Sequence, residues 1–330
     1  MEIIIPFLLL LAPILIANLI AAGENKSSAN IFELIIALIN IPLFLVGLLL
    51  FFIPSEVTSL LVEYGIPVVD WGAAGWVLSI MALWGILASI RPLRQLLARL
   101  IPIDPASPVH TLALVLAGYL IGNTLFALSQ DVLSELVETE LNVTIVDIIL
   151  QQLVFVVVAF AGAGLLTRRN LQQVSMRLGL VRPSMEQLLW GLVVIVLLIG
   201  IQWAIGVAWV LVDPEQAAAL GEINESLLGN VDTVGEWFIL ALASGIGEEI
   251  LFRGALQPVF GIVTTSLLFA IVHVQYGLTP VTAAVFIIGL ILGILRRKTN
   301  TTTTIFVHFS YNFLLGLFAL LASYMQQLVG

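Results

Sequence analysis

The chain has 330 residues, of which 60% are apolar and only 10% charged, and it contains no cysteine. A soluble domain carries about 25% charged residues, so this composition excludes a soluble enzyme with a membrane tag and an intrinsically disordered chain, and the missing cysteine excludes a disulfide-stapled secreted module and thiolate metal sites. A net charge of -9 with no concentrated basic surface argues against nucleic acid as a partner.

Apolar stretches long enough to cross a hydrocarbon core, about 17 to 25 residues, are expected near 3–22, 32–53, 71–90, 108–129, 148–167, 188–211, 237–257, 262–276, 279–295 and 304–328. The fold class read from them is all-α, a polytopic transmembrane helix bundle of about ten spans. The first stretch is preceded by Glu2 and by no Lys or Arg, the reverse of a signal peptide, and is read as an uncleaved first helix. Charge sign alternates between the connecting segments. Lys26, then Arg91, Arg94 and Arg99, then Arg168, Arg169, Arg177 and Arg182, then Arg296, Arg297 and Lys298 alternate with segments bearing only acids. Basic loops are retained in the cytoplasm, so this threading predicts a multi-pass protein of the cell (plasma or inner) membrane with both termini outside.

Gly118/Gly122 and Gly289/Gly293 fit close helix packing, as well as ordinary glycine usage in membrane helices. His110 reads as an interfacial histidine, and Asn40, Asn123, Gln151, Gln152 and Gln202 as interhelical hydrogen bonders. The threonines at 301–304 are expected to open the last helix and cap its free N–H groups. The long basic loop at 168–187 divides the chain into an N-terminal membrane region, 1–170, of five spans without assigned function, and a second region, 171–330, whose spans hold the polar chemistry.

Ionisable groups inside a bilayer cost several kcal/mol and mark function by default. Three spans contain them: Glu248, Glu249 and Arg253 in the seventh, His273 in the eighth, and His308 with Asn312 in the tenth. A tight turn near Pro258–Gly261 puts Glu248 and His273 at equal heights, roughly 18 to 20 Å along antiparallel helices, so they are expected to face each other. His308 and Asn312 are four apart and share a face, and Glu249 and Arg253 can pair at the same spacing. Glu248 is turned about 100° from Glu249 and has Ser244 and Gly245 above it, small residues that leave room for substrate or water. A carboxylate beside a histidine suits a general base that activates water, with His308 and Asn312 as donors to a developing oxyanion. The implied reaction is peptide-bond hydrolysis without an acyl intermediate.

Glu248-Glu249-Ile250-Leu251-Phe252-Arg253, Phe269-Ala270-Ile271-Val272-His273 and His308-Phe309-Ser310-Tyr311-Asn312 read in order as EExxxR, FxxxH and HxxxN. This set resembles the CAAX-protease and bacteriocin-processing family of intramembrane proteases, which includes the type II CAAX prenyl endopeptidases, and the likeness covers about 175–325. The resemblance implies a water activated by Glu248 with His273 assisting, His308 and Asn312 on the oxyanion side, and Glu249 with Arg253 in support. The connection between the first two motifs is short for that family. No cofactor is favoured; zinc held by Glu248, His273 and His308 is the alternative, weakened by the lack of HExxH and by Asn312 as a poor zinc ligand. The expected partners are a peptide or lipid-anchored protein substrate, prenylated or not, and membrane lipid, with the cavity open toward the cytoplasmic side. A proton-coupled transporter and a catalytically inactive scaffold or immunity protein are the competing readings; no paired broken helices of an inverted repeat favour the former.

Overall fold

The computed structural model of the chain describes residues 4–23, 25–64, 69–129, 144–228, 231–273, 277 and 279–329. The described residues are helical, with an isolated bridge between Leu165 and Arg169 in place of any sheet. The helices are α1 (Ile4–Gly23), α2 (Lys26–Phe51), α3 (Ser55–Glu63), α4 (Trp71–Ala88), α5 (Arg91–Leu97), α6 (Pro108–Ser129), α7 (Ile145–Gly162), α8 (Leu171–Leu178), α9 (Met185–Val212), α10 (Pro214–Leu228), α11 (Val234–Glu248), a π-helical segment (Glu249–Leu256), α12 (Gln257–Ile271), α13 (Pro280–Lys298) and α14 (Thr301–Val329). The long ones are apolar all round, as helices facing lipid are, and their backbone polar groups are satisfied within each helix, as a membrane requires.

Among the described residues eight helices are long and apolar enough to cross a membrane, so the multi-pass all-α bundle stands, with eight such helices instead of ten. The apolar stretch Leu10–Gly23 of α1 is shorter than the rest. The expected seventh and eighth spans form one continuous helical stretch, Val234–Ile271, broken at Gly261. There φ is 78° and ψ 176°, a backbone open only to glycine at little cost, and the chain turns back on itself. The return limb, 262–271, rises about 15 Å at 1.5 Å per residue, half the depth of a hydrocarbon core.

Two compact units divide the chain, one of Pro13–Glu135 and one of Met1–Ala12 with Leu136–Gly330. In the first, α2 and α4 approach closely: a Cβ on Gly75 would fall 2.2 Å from the Phe51 backbone nitrogen. Gly118 and Gly122 leave space for the side chains of Trp84 and Met81 on α4. His110 accepts the Asp104 N–H at 2.8 Å, a loop-fixing role. Asn40 bridges α2 and α6 through the Tyr119 hydroxyl.

In the second unit α7 joins the later helices and packs on α11 and the π segment. Thr144/Asp147, Ser184/Gln187 and Thr233/Glu236 form capping boxes that fix the starts of α7, α9 and α11, each satisfying orphan N–H groups. The start of α14 differs from the expected threonine caps. Asn300 accepts the Thr303 N–H at 2.8 Å, while the Thr301 hydroxyl donates to the Leu178 carbonyl and its N–H to Gly179. A cap needs an extended residue ahead of the helix, and the threonines already lie inside it. Buried Ile195, Leu198, Leu292, Leu295, Val307 and Tyr311 form the core between α9, α13 and α14.

Candidate active site

The seventh-span motif lies where the helix changes pitch. α11 ends at Glu248 and the π segment begins at Glu249, and π turns are frequent at functional sites. Glu249 and Arg253 are both fully buried, with Arg253 Nε 3.6 Å from Glu249 Oε2. The Arg253 guanidinium lies over the Phe269 ring at 4.6 Å, a cation–π contact, and none of its three nitrogens has a hydrogen-bond partner among the described residues.

Glu248 points elsewhere, as the helical rotation requires. Reversal at Gly261 brings His273, which follows the return limb, opposite it, with Nε2 3.9 Å from Glu248 Oε2. His273 Nδ1 lies 2.7 Å from the Phe269 carbonyl oxygen. A carbonyl only accepts, so Nδ1 carries the hydrogen and Nε2 turns its lone pair toward the carboxylate. The 3.9 Å separation exceeds a direct hydrogen bond and suits a water bridging both groups. Phe269, the aromatic of FxxxH, is the common neighbour: its ring centroid is 4.7 Å from His273 and 6.1 Å from His308.

The last helix contributes on one face, but toward different partners from those expected. His308 Nδ1 donates to Glu249 Oε1 at 3.0 Å, so Glu249 lies between Arg253 and His308. Asn312 Nδ2 donates to the Ser244 hydroxyl at 3.0 Å; Ser244 is thus occupied as a partner instead of leaving open space. Gly245 faces the backbone of Phe309, where a Cβ would fall 3.0 Å from its nitrogen, so this glycine sets the separation of α11 and α14. The set forms two coupled halves, Glu248 with His273 and Glu249 with Arg253 and His308.

Gln152 of α7 belongs to this constellation and was not read so from sequence, where it was one interhelical hydrogen bonder among several. Its Nε2 donates to Glu248 Oε1 at 3.4 Å, and its own Oε1 is buried without a hydrogen-bond partner among the described residues. The signal for it is tertiary: a Cβ on Gly247 would fall 2.3 Å from Gln152 Oε1, so a glycine beside the Glu-Glu pair is what admits the amide. His308 turns Nδ1 to Glu249, which leaves Nε2 as its only nitrogen for any other partner. Among the described residues no group of three His, Asp or Glu side chains is arranged to hold a metal ion.

Residues 230–314 match the family model described as Type II CAAX prenyl endopeptidase Rce1-like. Glu248, Glu249, Arg253, His273, His308 and Asn312 all fall inside the matched segment. The chain therefore carries an Rce1-like domain, consistent with the CAAX-protease and bacteriocin-processing family. No curated protein and no solved structure compared with the chain matches it.

Proposed function

We propose that the protein is an intramembrane endopeptidase that hydrolyses a peptide bond with a water activated by Glu248. The observation that carries this reading is the 3.9 Å gap between Glu248 Oε2 and the lone-pair nitrogen of His273, which a single water fits. Glu248 takes a proton from that water as its oxygen attacks the substrate carbonyl carbon, and the proton then passes to the departing amide nitrogen. His273 orients the water through Nε2. With Nδ1–H given to Glu249, a second proton on Nε2 makes His308 a donor, and the second hydrogen of the Asn312 amide faces the same developing oxyanion. Glu249 and Arg253 hold His308 in place, and Gln152 holds Glu248.

A substrate of this site is a peptide or the tail of a lipid-anchored protein; the matched family points to prenylated CAAX tails, although substrate choice is carried by the site and not by the fold. We place the opening toward the cytoplasmic leaflet, because His308 lies about 10 Å by helical rise from the start of α14, beside the basic end of α13, and basic segments stay inside. Catalysis is proposed to be metal-free.

Purified protein in proteoliposomes, given a quenched prenylated peptide, tests the reading. Glu248→Gln is expected to lower cleavage by about 10²–10⁴-fold, the worth of a general base, with unchanged thermal unfolding, and His273→Ala to lower it too. Undiminished cleavage in Glu248→Gln sinks the assignment. Transport of a solute without cleavage products would favour the transporter instead. Activity that survives chelation with verified metal removal supports the glutamic mechanism, and activity restored only by zinc overturns it.

A further inference from the structure

Four arginines from three segments gather at one end of the second unit. Arg168 and Arg169 lie in the loop after α7, Arg177 in the last turn of α8 and Arg296 in the last turn of α13. Gly179, with φ of 75°, is the point where these segments meet. A Cβ there would touch the Thr301 hydroxyl at 2.8 Å and stand 3.5 Å from Arg296 Nη2, two residues on from Arg177. Arg177 Nη1 reaches the Gly254 carbonyl at 3.4 Å, and Arg169 Nη1 donates to Ala163. Among the described residues none of the four forms an ion pair with a carboxylate, and Arg296 Nε is buried without a hydrogen-bond partner. Burial, helped by the charges of Arg169 and Arg296, lowers the proton affinity of Arg177, and partial loss of solvent with the charges of Arg169 and Arg177 does the same to the more exposed Arg168. Like charges held this close cost folding free energy, and among the described residues no carboxylate pairs with them to offset it.

Apolar side chains flank the arginines. Leu166 holds φ at 64° and is 89% exposed, a left-handed backbone that is uncommon for a leucine. Leu171 and Met176 of α8 are exposed as well. A charged head with apolar chains beside it is the chemistry of a phospholipid.

We propose that Arg168, Arg169, Arg177 and Arg296 form a binding site for a phosphate-headed anion, and that its source is an anionic phospholipid whose chains lie along Leu166, Leu171 and Met176. The guanidinium fork matches phosphate oxygens in pairs, and basic surfaces at the ends of membrane helices are favoured places for anionic headgroups. This site is independent of the peptidase reading.

Thermal unfolding of the full-length protein in mild detergent tests it, with phosphatidylglycerol, phosphatidylcholine of the same chains, and inorganic phosphate added in separate arms. Phosphatidylglycerol is expected to raise the unfolding temperature and phosphatidylcholine to leave it unchanged. Each arginine is expected to be worth about fivefold in apparent affinity. Arg177→Gln/Arg296→Gln is expected to unfold no earlier than the parent without lipid, since repulsion is relieved, and to lose the phosphatidylglycerol shift. Should that double variant fail to fold, Arg168→Gln, which changes an exposed side chain, is expected to raise about fivefold the phosphatidylglycerol concentration needed for the same shift. Equal shifts from the two lipids, or a shift that survives these substitutions, overturns the site. A full shift from inorganic phosphate alone overturns the lipid as its source.

Discussion

Each compact unit buries one arginine completely, and the two are satisfied in opposite ways. Arg94, in the unit of the first helices, uses its whole fork: Nε donates to Pro105 at 3.0 Å, Nη1 to Ala88 at 2.8 Å and Nη2 to Glu33. Arg253 has a 3.6 Å ion pair and an aromatic face, with no hydrogen bond from any of its nitrogens among the described residues. Burial of a charge is tolerable only with partners. A guanidinium with all three nitrogens engaged fixes a chain; one with none engaged in a hydrogen bond keeps a fixed positive charge next to Glu249 and His308 without locking them. The same residue type, equally buried, is a structural tie in one unit and an electrostatic support in the other.

Substitutions at the two positions should separate these roles. The largest effect expected is from Arg94→Leu, which leaves Glu33 and two carbonyls without their donor and should cost about 3–5 kcal/mol of stability, read by thermal or denaturant unfolding. Lysine substitutions sharpen the contrast. An ammonium cannot reproduce a three-way fork, so Arg94→Lys should cost about 2 kcal/mol. Arg253→Lys keeps the charge and the aromatic contact and should cost clearly less while lowering cleavage; equal losses at both positions would break the comparison. Gln152→Leu should lower cleavage about tenfold, the worth of one hydrogen bond to a charged group, with little change in unfolding. Smallest is Asn300→Ala, which removes the cap of α14 and should cost about 1 kcal/mol.

The apolar spans, and the three motifs that the Rce1-like match also covers, were legible in the sequence, because hydrophobic length and i,i+4 spacing are local properties. The facing of Glu248 and His273 was legible as well, since nearly equal counts from the turn at Gly261 fix similar heights. Other features were not. Arg94 reads as a loop cation because nothing local reveals that its short helix α5 brings it to Glu33 of α2. Gln152 lies 96 residues from Glu248, and only packing through Gly247 joins them. The expected seventh and eighth spans form one helical stretch broken at Gly261, which hydropathy does not reveal because it measures apolarity and not direction. The bond from His308 Nδ1 to Glu249 was not legible either, since the two residues lie 59 apart in the chain and only tertiary packing brings them together.

The π segment also makes chain length itself a variable of the site. A π turn holds one residue more than an α turn, so a one-residue deletion between Ile250 and Leu256 is compatible with an unbroken α-helix joining the same two ends. Hydropathy, span and caps would all survive such a deletion. What would be lost is facing, because each residue removed rotates those around it by about 100°, and Glu249 and Arg253 could no longer both keep their present neighbours. Membrane insertion and the geometry of the buried ion pair are thus set by separate properties of one stretch of sequence, its apolarity and its count.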